Sequence, residues 1–414
     1  MARWALLADD MTGALDTALQ FRKIGFRTVV SARPGDWPPD AEVIALSVES
    51  RRLPAGSARK AISDALQALR LRQPEAIYKK TDSLMRGNVG ADLAALREVL
   101  AVDTLVFTPA FPTGGRTTIA GVHRLWGTPI AASTPGQDPV TPVRESHIPT
   151  LLATTGGLRV TSVPLAAVRV GPAALAAELT AARNAGSHVI VPDVETDADL
   201  ETVAAAMASA GLARISAGAA GLAEFLARAS GARALTPAEP LHAASVGIIV
   251  GTPNPHTRAQ VARVLAAPGI EVLGLLPFER RTVEAAVRQA RRAWRAGRQV
   301  LFDAVAPAVT LDAAQEEAQR AAVRRLAATL VGDEPGLGLV LTGGDTALAA
   351  LQGMDVEWIE LRDEVEWGVP AGLAVSADGW AMPVITKGGT MGGPDALLQA
   401  VRHLTSERAA SGSP

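Results

Sequence analysis

The chain has no cysteine, a single tyrosine and only 4% aromatic residues among its 414 positions. Without cysteine it forms no disulfide, offers no thiolate nucleophile and builds no cysteine-ligated metal site. Histidine is nearly as scarce. The six present, His123, His147, His188, His242, His256 and His403, form no HxH or HxxxH pair, so no zinc site is expected. Net charge is missing too. Forty Lys and Arg stand against 42 Asp and Glu, a balance of −2, which leaves no global basic field for nucleic acid and makes any anion site local. No apolar run approaches the ~20 residues that span a bilayer. The opening MARWALLADDMTG meets two aspartates before a signal-peptide core can form. These absences lead to the expectation of a cytoplasmic protein with no membrane and no nucleic-acid partner.

What is present is 48% hydrophobic and 20% charged residues, the composition of a folded chain. The length exceeds one ordinary core, so two domains are expected. Short apolar runs alternate with amphipathic helical stretches along both halves. This pattern predicts an α/β protein of two domains, each a mainly parallel sheet flanked by helices, with the active site in the interdomain cleft. The boundaries fall at 1–232 and 245–414, joined by a Pro- and Ala-rich linker at 233–244. The tail beyond His403 carries no period.

The densest polar stretch is 78–90, YKKTDSLMRGNVG, between a strand predicted at 76–79 and a helix at 89–99. Lys79, Lys80 and Arg86 can hold an anion there, Asp82 can take a proton, and Gly87 and Gly90 admit close backbone. Three other strands, at 4–7, 43–47 and 104–108, also end in polar or glycine-bearing loops. The first is followed by Ala8-Asp9-Asp10-Met11-Thr12-Gly13. One of the two aspartates can cap the helix that follows; a second can bind hydroxyls, position Mg²⁺ or act as a base. After the 43–47 strand come Arg51 and Arg52, of the residue type that grips a carboxylate in bidentate fashion. In a parallel sheet such strand ends lie along one edge and can converge on one ligand. Residues 114–150 read as a long functional loop. The small-residue turn at 216–221 allows close packing or a phosphate approach, and reads as packing first.

In the second half, Thr342-Gly343-Gly344-Asp345-Thr346 and Thr386-Lys387-Gly388-Gly389-Thr390 read as strand-to-helix glycine turns, joined by Gly251-Thr252. Amides at such turns bind phosphate. Lys387 would add positive charge, and Asp345 could orient a metal through water. No GxxxxGK[ST] occurs, nor a GxGxxG after a strand.

At these residues the chain resembles the four-carbon acid sugar kinases, nearly end to end. The resemblance rests on Ala8-Asp9-Asp10-Met11-Thr12-Gly13-Ala14, on Lys79-Lys80-Thr81-Asp82-Ser83 with Arg86-Gly87-Asn88-Val89-Gly90, and on Pro109-Ala110-Phe111-Pro112 with Gly115-Arg116. It continues through Asp138-Pro139 and Thr141 to Pro149, then Gly343-Gly344-Asp345-Thr346-Ala347, Gly368-Val369-Pro370 and Thr386-Lys387. It departs at Pro253-Asn254-Pro255, where the family has a Gly-Ser-x-Ser-Pro-type turn. Met391 replaces an aromatic residue, and Leu84-Met85 stands where Thr-Leu is common.

The resemblance implies a sugar-binding N-terminal domain, a nucleotide-binding C-terminal domain, and ATP-dependent phosphorylation of threonate, erythronate or a 3-oxo-tetronate with Mg²⁺. It carries substrate contacts onto Asp9 or Asp10, Arg51 and the segment Lys80, Thr81, Asp82 and Ser83, with Arg86 beside them. Nucleotide contacts fall on Gly251, Thr252, Asn254, Gly343, Gly344, Asp345, Thr346, Lys387, Gly388, Gly389 and Thr390. The base is one of Asp82, Asp9 and Asp10; no residue is singled out as a metal ligand, and a homodimer is left open. Two other readings use the same features. One is a dehydrogenase or isomerase of small hydroxy acids, the other a non-catalytic sugar-acid-binding protein.

Overall fold

The computed structural model describes residues 2–138, 141–231, 239–305, 311–331, 334 and 336–406. The chain divides into two compact units, Met1–Leu235 and Thr236–Pro414. Of the expected linker, 233–238 lies outside the described residues, while Ala243 and Ala244 already donate to Leu404 and Gly336 of the second unit. The expected tail also lies outside them from 407 onward.

The first unit opens with β1 (Trp4–Ala8), α1 (Met11–Lys23), β2 (Thr28–Ser31), β3 (Val43–Ser47) and α2 (Ala55–Arg70). Next come β4 (Ala76–Lys80), α3 (Val89–Leu100) and β5 (Leu105–Thr108). A small antiparallel sheet follows, β6 (Arg116–Ile119), β7 (Val122–Leu125) and β8 (Thr128–Pro129). The unit closes with α4 (Ile148–Gly156), β9 (Val160–Val163), α5 (Leu165–Val168), α6 (Pro172–Asn184), β10 (Val189–Pro192), α7 (Asp197–Ser209), β11 (Ile215–Gly218) and α8 (Ala220–Ala229).

Its large sheet runs β2-β3-β1-β4-β11-β5-β10-β9 and is parallel throughout. Strands such as VIALS and WALLA are buried at every position, as a sheet covered on both faces requires. Helices α1, α8, α7 and α6 pack in one series, and α2, α3 and α4 in another. The chain leaves β1 toward β2 and β3 on one side and leaves β4 toward β5 on the other. The crevice that opens between the carboxyl ends of β1 and β4 is the topological switch point, where α/β sheets hold ligands.

The second unit comprises β12 (Ser245–Val250), α9 (Pro255–Ala266), β13 (Ile270–Gly274), α10 (Arg280–Arg295), β14 (Gln299–Asp303) and α11 (Ala313–Val331). It continues with β15 (Leu337–Thr342), α12 (Gly344–Gly353), β16 (Val356–Glu364), β17 (Pro370–Ser376), β18 (Ala381–Lys387) and α13 (Ala396–Thr405). The strand order β13-β14-β12-β15-β18-β17-β16 is parallel through β18 and antiparallel beyond it. Its core gathers Val246, Ile248, Val250, Leu301, Val340 and Ile385 from the central strands. The switch point lies between β12 and β15, whose continuations part in opposite directions.

One expectation is corrected here. Residues 114–150 are not a long loop: Thr118 and Val194 pair across a bridge, and Asp193 accepts from the amides of Ala120 and Gly121, fixing a hairpin in place. Its strands of four and two residues are too short to give a periodic signal. The helix after Thr386–Thr390 comes where the chain past Gly393 allows it. Eight residues separate Lys387 from Ala396, and Pro394 and the glycines postpone helix entry. The turn at 216–221 does serve packing, since a Cβ on Gly218 would lie 2.2 Å from Thr108 O.

Candidate active site

At the β1/β4 switch point, Asp10 is the N-cap of α1, its Oδ1 accepting from Gly13 N at 2.8 Å. Its other oxygen accepts from Arg51 Nη1 at 2.6 Å. Arg51 also grips Asp9 with both edges of its fork, Nε to Oδ2 at 2.9 Å and Nη2 to Oδ1 at 3.1 Å. Asp82 Oδ1 lies 3.8 Å from Nη2 of the same arginine. Arg86 in turn holds Asp82, Nε to Oδ2 at 2.6 Å and Nη2 to Oδ1 at 3.2 Å, and reaches Asp138 at 3.4 Å. The carboxylate grip expected of Arg51 and Arg86 is thus taken up by the protein's own aspartates. Two of the five N–H groups of Arg51 remain.

Burial works to raise the pKa values of Asp82 and Asp9, but the neighbouring cations outweigh it. Arg86 and Arg51 hold Asp82 far below the carboxylate range, and Arg51, Lys79 and Lys80 hold Asp9 down. Burial likewise opposes the charge on Arg51, and Asp10, Asp9 and Asp82 more than restore it. Of the three carboxylates Asp10 is the most open, its side chain 18% exposed against 4% for Asp9 and 8% for Asp82.

The lysine pair splits, because neighbours on a strand face opposite ways. Lys79 is sealed against Asp92 at 2.9 Å, so it is not available to hold a ligand anion as expected. Lys80 belongs to the crevice. A Cβ on Gly13 would lie 2.8 Å from its Nζ and 2.7 Å from Asp10 Oδ1, so the glycine is what lets the ammonium approach the cap. Thr81 turns toward β11, its amide donating to Gly218 O at 2.9 Å. The Ser83 carbonyl accepts from His123 Nε2 at 2.8 Å, while His123 Nδ1 accepts from the Thr118 hydroxyl at 2.9 Å. The Ser83 carbonyl can only accept, so Nε2 carries the proton, and burial keeps the ring neutral by pushing its pKa down to about 4. The small sheet is therefore pinned to the Asp82–Arg86 turn by a histidine that no local sequence signal marked.

At the β12/β15 switch point the walls are backbone. Thr342 pairs with Val250 and Lys387 across three neighbouring parallel strands, and the loops beyond them meet. A Cβ on Gly251 would lie 2.2 Å from Thr346 Oγ1, and one on Gly389 would lie 3.2 Å from Thr252 Oγ1. Gly343, at φ 102°, caps α12 and donates its amide to Lys387 O at 2.8 Å. The N-terminal amides of α12, from Gly344, Asp345 and Thr346, open at this point. Asp345 is exposed in that first turn. Asn254 caps α9, accepting from His256 N at 2.9 Å.

Behind the glycine loop stands a clamp. Lys387 Nζ donates to Thr257 Oγ1, Gly388 O and Met391 O. Thr257 Oγ1 donates to Gly389 O at 2.8 Å, and Gln260 Nε2 to the carbonyls of Met391, Gly392 and Gly393. His256 Nε2 reaches Gly392 O at 2.7 Å. In a trans peptide the N–H points opposite to the carbonyl, so fixing these oxygens turns the amides of Gly389, Thr390 and Gly392 the other way, as an anion nest requires. Lys387, expected to lend charge to a phosphate, spends its three donors on Thr257 Oγ1 and two loop carbonyls, and burial lowers its pKa to about 8 against the pull of Glu366. Thr257 and Gln260, one helical turn apart on α9, are the residues that sequence reasoning missed.

These geometries define a two-unit α/β protein with a carboxylate-and-cation crevice in one unit and an amide-lined crevice in the other. Residues 4–226 match the model of a sugar-binding N-terminal domain, and residues 248–397 that of a nucleotide-binding C-terminal domain. A D-threonate kinase of Bordetella bronchiseptica is 33% identical, with 97% of this chain and 98% of the relative covered. A 3-oxo-tetronate kinase of Cupriavidus necator is 31% identical over 96% of each. A D-erythronate kinase of Heliobacterium modesticaldum is 28% identical over 98% of each. Among solved structures, a Salmonella typhimurium chain described as a putative tRNA synthase superposes with a TM-score of 0.84 at 25% identity, covering 98% of this chain and all of that one. The chain belongs to the four-carbon acid sugar kinase family.

Proposed function

We propose that the protein transfers the γ-phosphoryl group of ATP to an alcohol of a four-carbon acid sugar, namely threonate, erythronate or a 3-oxo-tetronate. The observation that carries this reading is the division of labour between the two switch points, one lined by charged side chains and the other by amides. ATP supplies the phosphoryl group, and Mg²⁺, carried on the triphosphate, neutralises its charge. Among the described residues no group of three or more His, Asp or Glu side chains is arranged to hold a metal. Asp345, exposed at the start of α12, would meet such an ion through water.

The residues that fit the triphosphate are Gly251, Gly343, Gly344, Thr346, Gly389 and Thr390, where a side chain would fill the space or amides open outward. On the acceptor side Arg51 fixes Asp9 and Asp10 so that they meet the sugar hydroxyls. Asp10, the most open carboxylate, receives the hydroxyl proton; Asp82, whose basicity Arg86 and Arg51 suppress, orients the substrate with Ser83. Lys80 faces the charge that develops on the transferring group. Positioning and charge neutralisation dominate such reactions. The reading also implies a cytoplasmic setting, where ATP is supplied. Among the described residues no helix is long and apolar enough to cross a membrane.

The test is an assay of ADP release with Mg²⁺ against the stereoisomeric tetronates and their oxo derivatives. Turnover on at least one, dependent on ATP, is expected. Folded protein that turns over none would overturn the substrate class.

A further inference from the structure

We propose that Arg116, at the start of β6, grips the carboxylate of the acceptor and sets the preference for an acid over a neutral polyol. The inference rests on the kinase reading for the identity of the acceptor. It starts from an inventory of cations around the β1/β4 crevice. Arg51 is committed to Asp9 and Asp10, Arg86 to Asp82, and Lys79 to Asp92. Each of these three is already paired with a carboxylate of the protein, so its charge is matched before an acceptor arrives.

Arg116 is different. Among the described residues its guanidinium pairs with no carboxylate; its one hydrogen bond runs to the Gly114 carbonyl. Its Nε is buried with no partner at all. The backbone holds it firmly, since Phe111 and Arg116 exchange both amide hydrogen bonds, at 2.8 and 3.0 Å. Asp82 and Asp16 lie within electrostatic reach, as does the like-charged Arg86. Burial lowers its pKa, a sign of a cation whose desolvation the protein leaves uncompensated. A half-buried guanidinium whose Nε is sealed from water and idle is costly unless an anion completes it. Its planar fork suits a carboxylate.

The placement also gives the small sheet a purpose. β6 and β7 bring two side chains to the Asp82 turn, His123 to hold the Ser83 carbonyl and Arg116 to offer the charge. Lys80, deeper in the crevice beside Asp10, stays available for the reacting end.

The experiment compares the full-length protein with Arg116→Gln on a tetronate and on the four-carbon polyol of matching stereochemistry, with KM for ATP measured alongside. Loss of a charge-assisted pair raises KM for the acid by about tenfold to a hundredfold. KM for ATP stays within about twofold, and the acid-over-polyol preference of the native protein collapses by the same factor as the KM rise. Arg116→Lys, which keeps the charge and loses the fork, falls between the two and serves if the glutamine variant does not fold. An unchanged acid KM in a folded variant overturns the proposal, as does a rise confined to ATP. Calorimetric binding of the tetronates separates this from the kinase reading. Native protein that binds an acid without turning it over, while Arg116→Gln binds it weakly, leaves Arg116 assigned and the kinase reading refuted. Native protein that binds no tetronate overturns the assignment.

Discussion

The two units solve the same topological problem with opposite materials. Each opens a crevice where successive connections part, between β1 and β4 in one and between β12 and β15 in the other. In the first, the lining is side chains in matched pairs: Arg51 with Asp9 and Asp10, Arg86 with Asp82. In the second, the lining is peptide groups, and the polar side chains Lys387, Thr257 and Gln260 stand behind them holding carbonyls. A small acid with several hydroxyls needs charges and acceptors at individual points. A polyphosphate needs many donors close together, and backbone amides supply them without charge of their own. The first crevice should therefore be vulnerable to losing a charge, the second to gaining a carbon.

The largest effect expected is at Asp10. Asp10→Asn preserves the shape of the α1 cap and removes the carboxylate proposed to receive the proton. Turnover should fall by about 10²- to 10⁴-fold, the span of a general-base contribution, with KM for ATP unaffected. Asp82→Asn is the contrast, since its partner Arg86 already suppresses its basicity. Steady-state kinetics of both variants decide the matter. An equal collapse in the two would mean the network acts as one unit, and Asp10 would lose its separate role.

Much of this was legible in the sequence. Buried parallel strands read as unbroken apolar runs, so the strands expected at 4–7, 43–47 and 104–108 stand as Trp4–Ala8, Val43–Ser47 and Leu105–Thr108. Polar residues at strand ends marked both crevices. What the sequence hid was pairing. Arg51 meets Asp9 across 42 residues, and Lys387 meets Thr257 across 130. A local pattern that shows a cation carries no information on whether a distant side chain has already claimed it. The separate fates of Lys79 and Lys80 needed only the two-residue period of a strand. The small sheet was hidden for a different reason, because short strands rich in threonine and arginine have no apolar face to repeat.

His123 sharpens the comparison, because it is a neutral group inside the charged unit. Its pKa of about 4 lies below the ordinary 6.5. Between those values the unfolded chain binds a proton at this position and the folded protein does not. Stability from this group is therefore complete above pH 6.5 and is lost as pH falls toward 4, by about 3 kcal/mol in all. Chemical denaturation of the native protein and His123→Gln across this window checks it. The glutamine amide can still donate to Ser83 and does not titrate, so this part of the pH slope should vanish. An unaltered slope would place the acid sensitivity elsewhere.

The smallest effect tests the other half of the comparison with one methyl group. Gly251→Ala puts a Cβ 2.2 Å from Thr346 Oγ1, and Thr346 is buried, so the loops after β12 and β15 have to move apart. Overpacking of this kind costs about 1–3 kcal/mol, and the amides that open at α12 shift with it. KM for ATP should rise by about tenfold, a little over 1 kcal/mol, while KM for the acid holds. Gly56→Ala supplies the control. Gly56 sits in the first turn of α2 with nothing within 4 Å of the added carbon, so there the same change should leave both KM values alone and stabilise the helix by about 0.4–1 kcal/mol. If Gly251→Ala behaves like Gly56→Ala, the nucleotide is not held by close backbone approach, and the contrast between the two crevices fails at its second term.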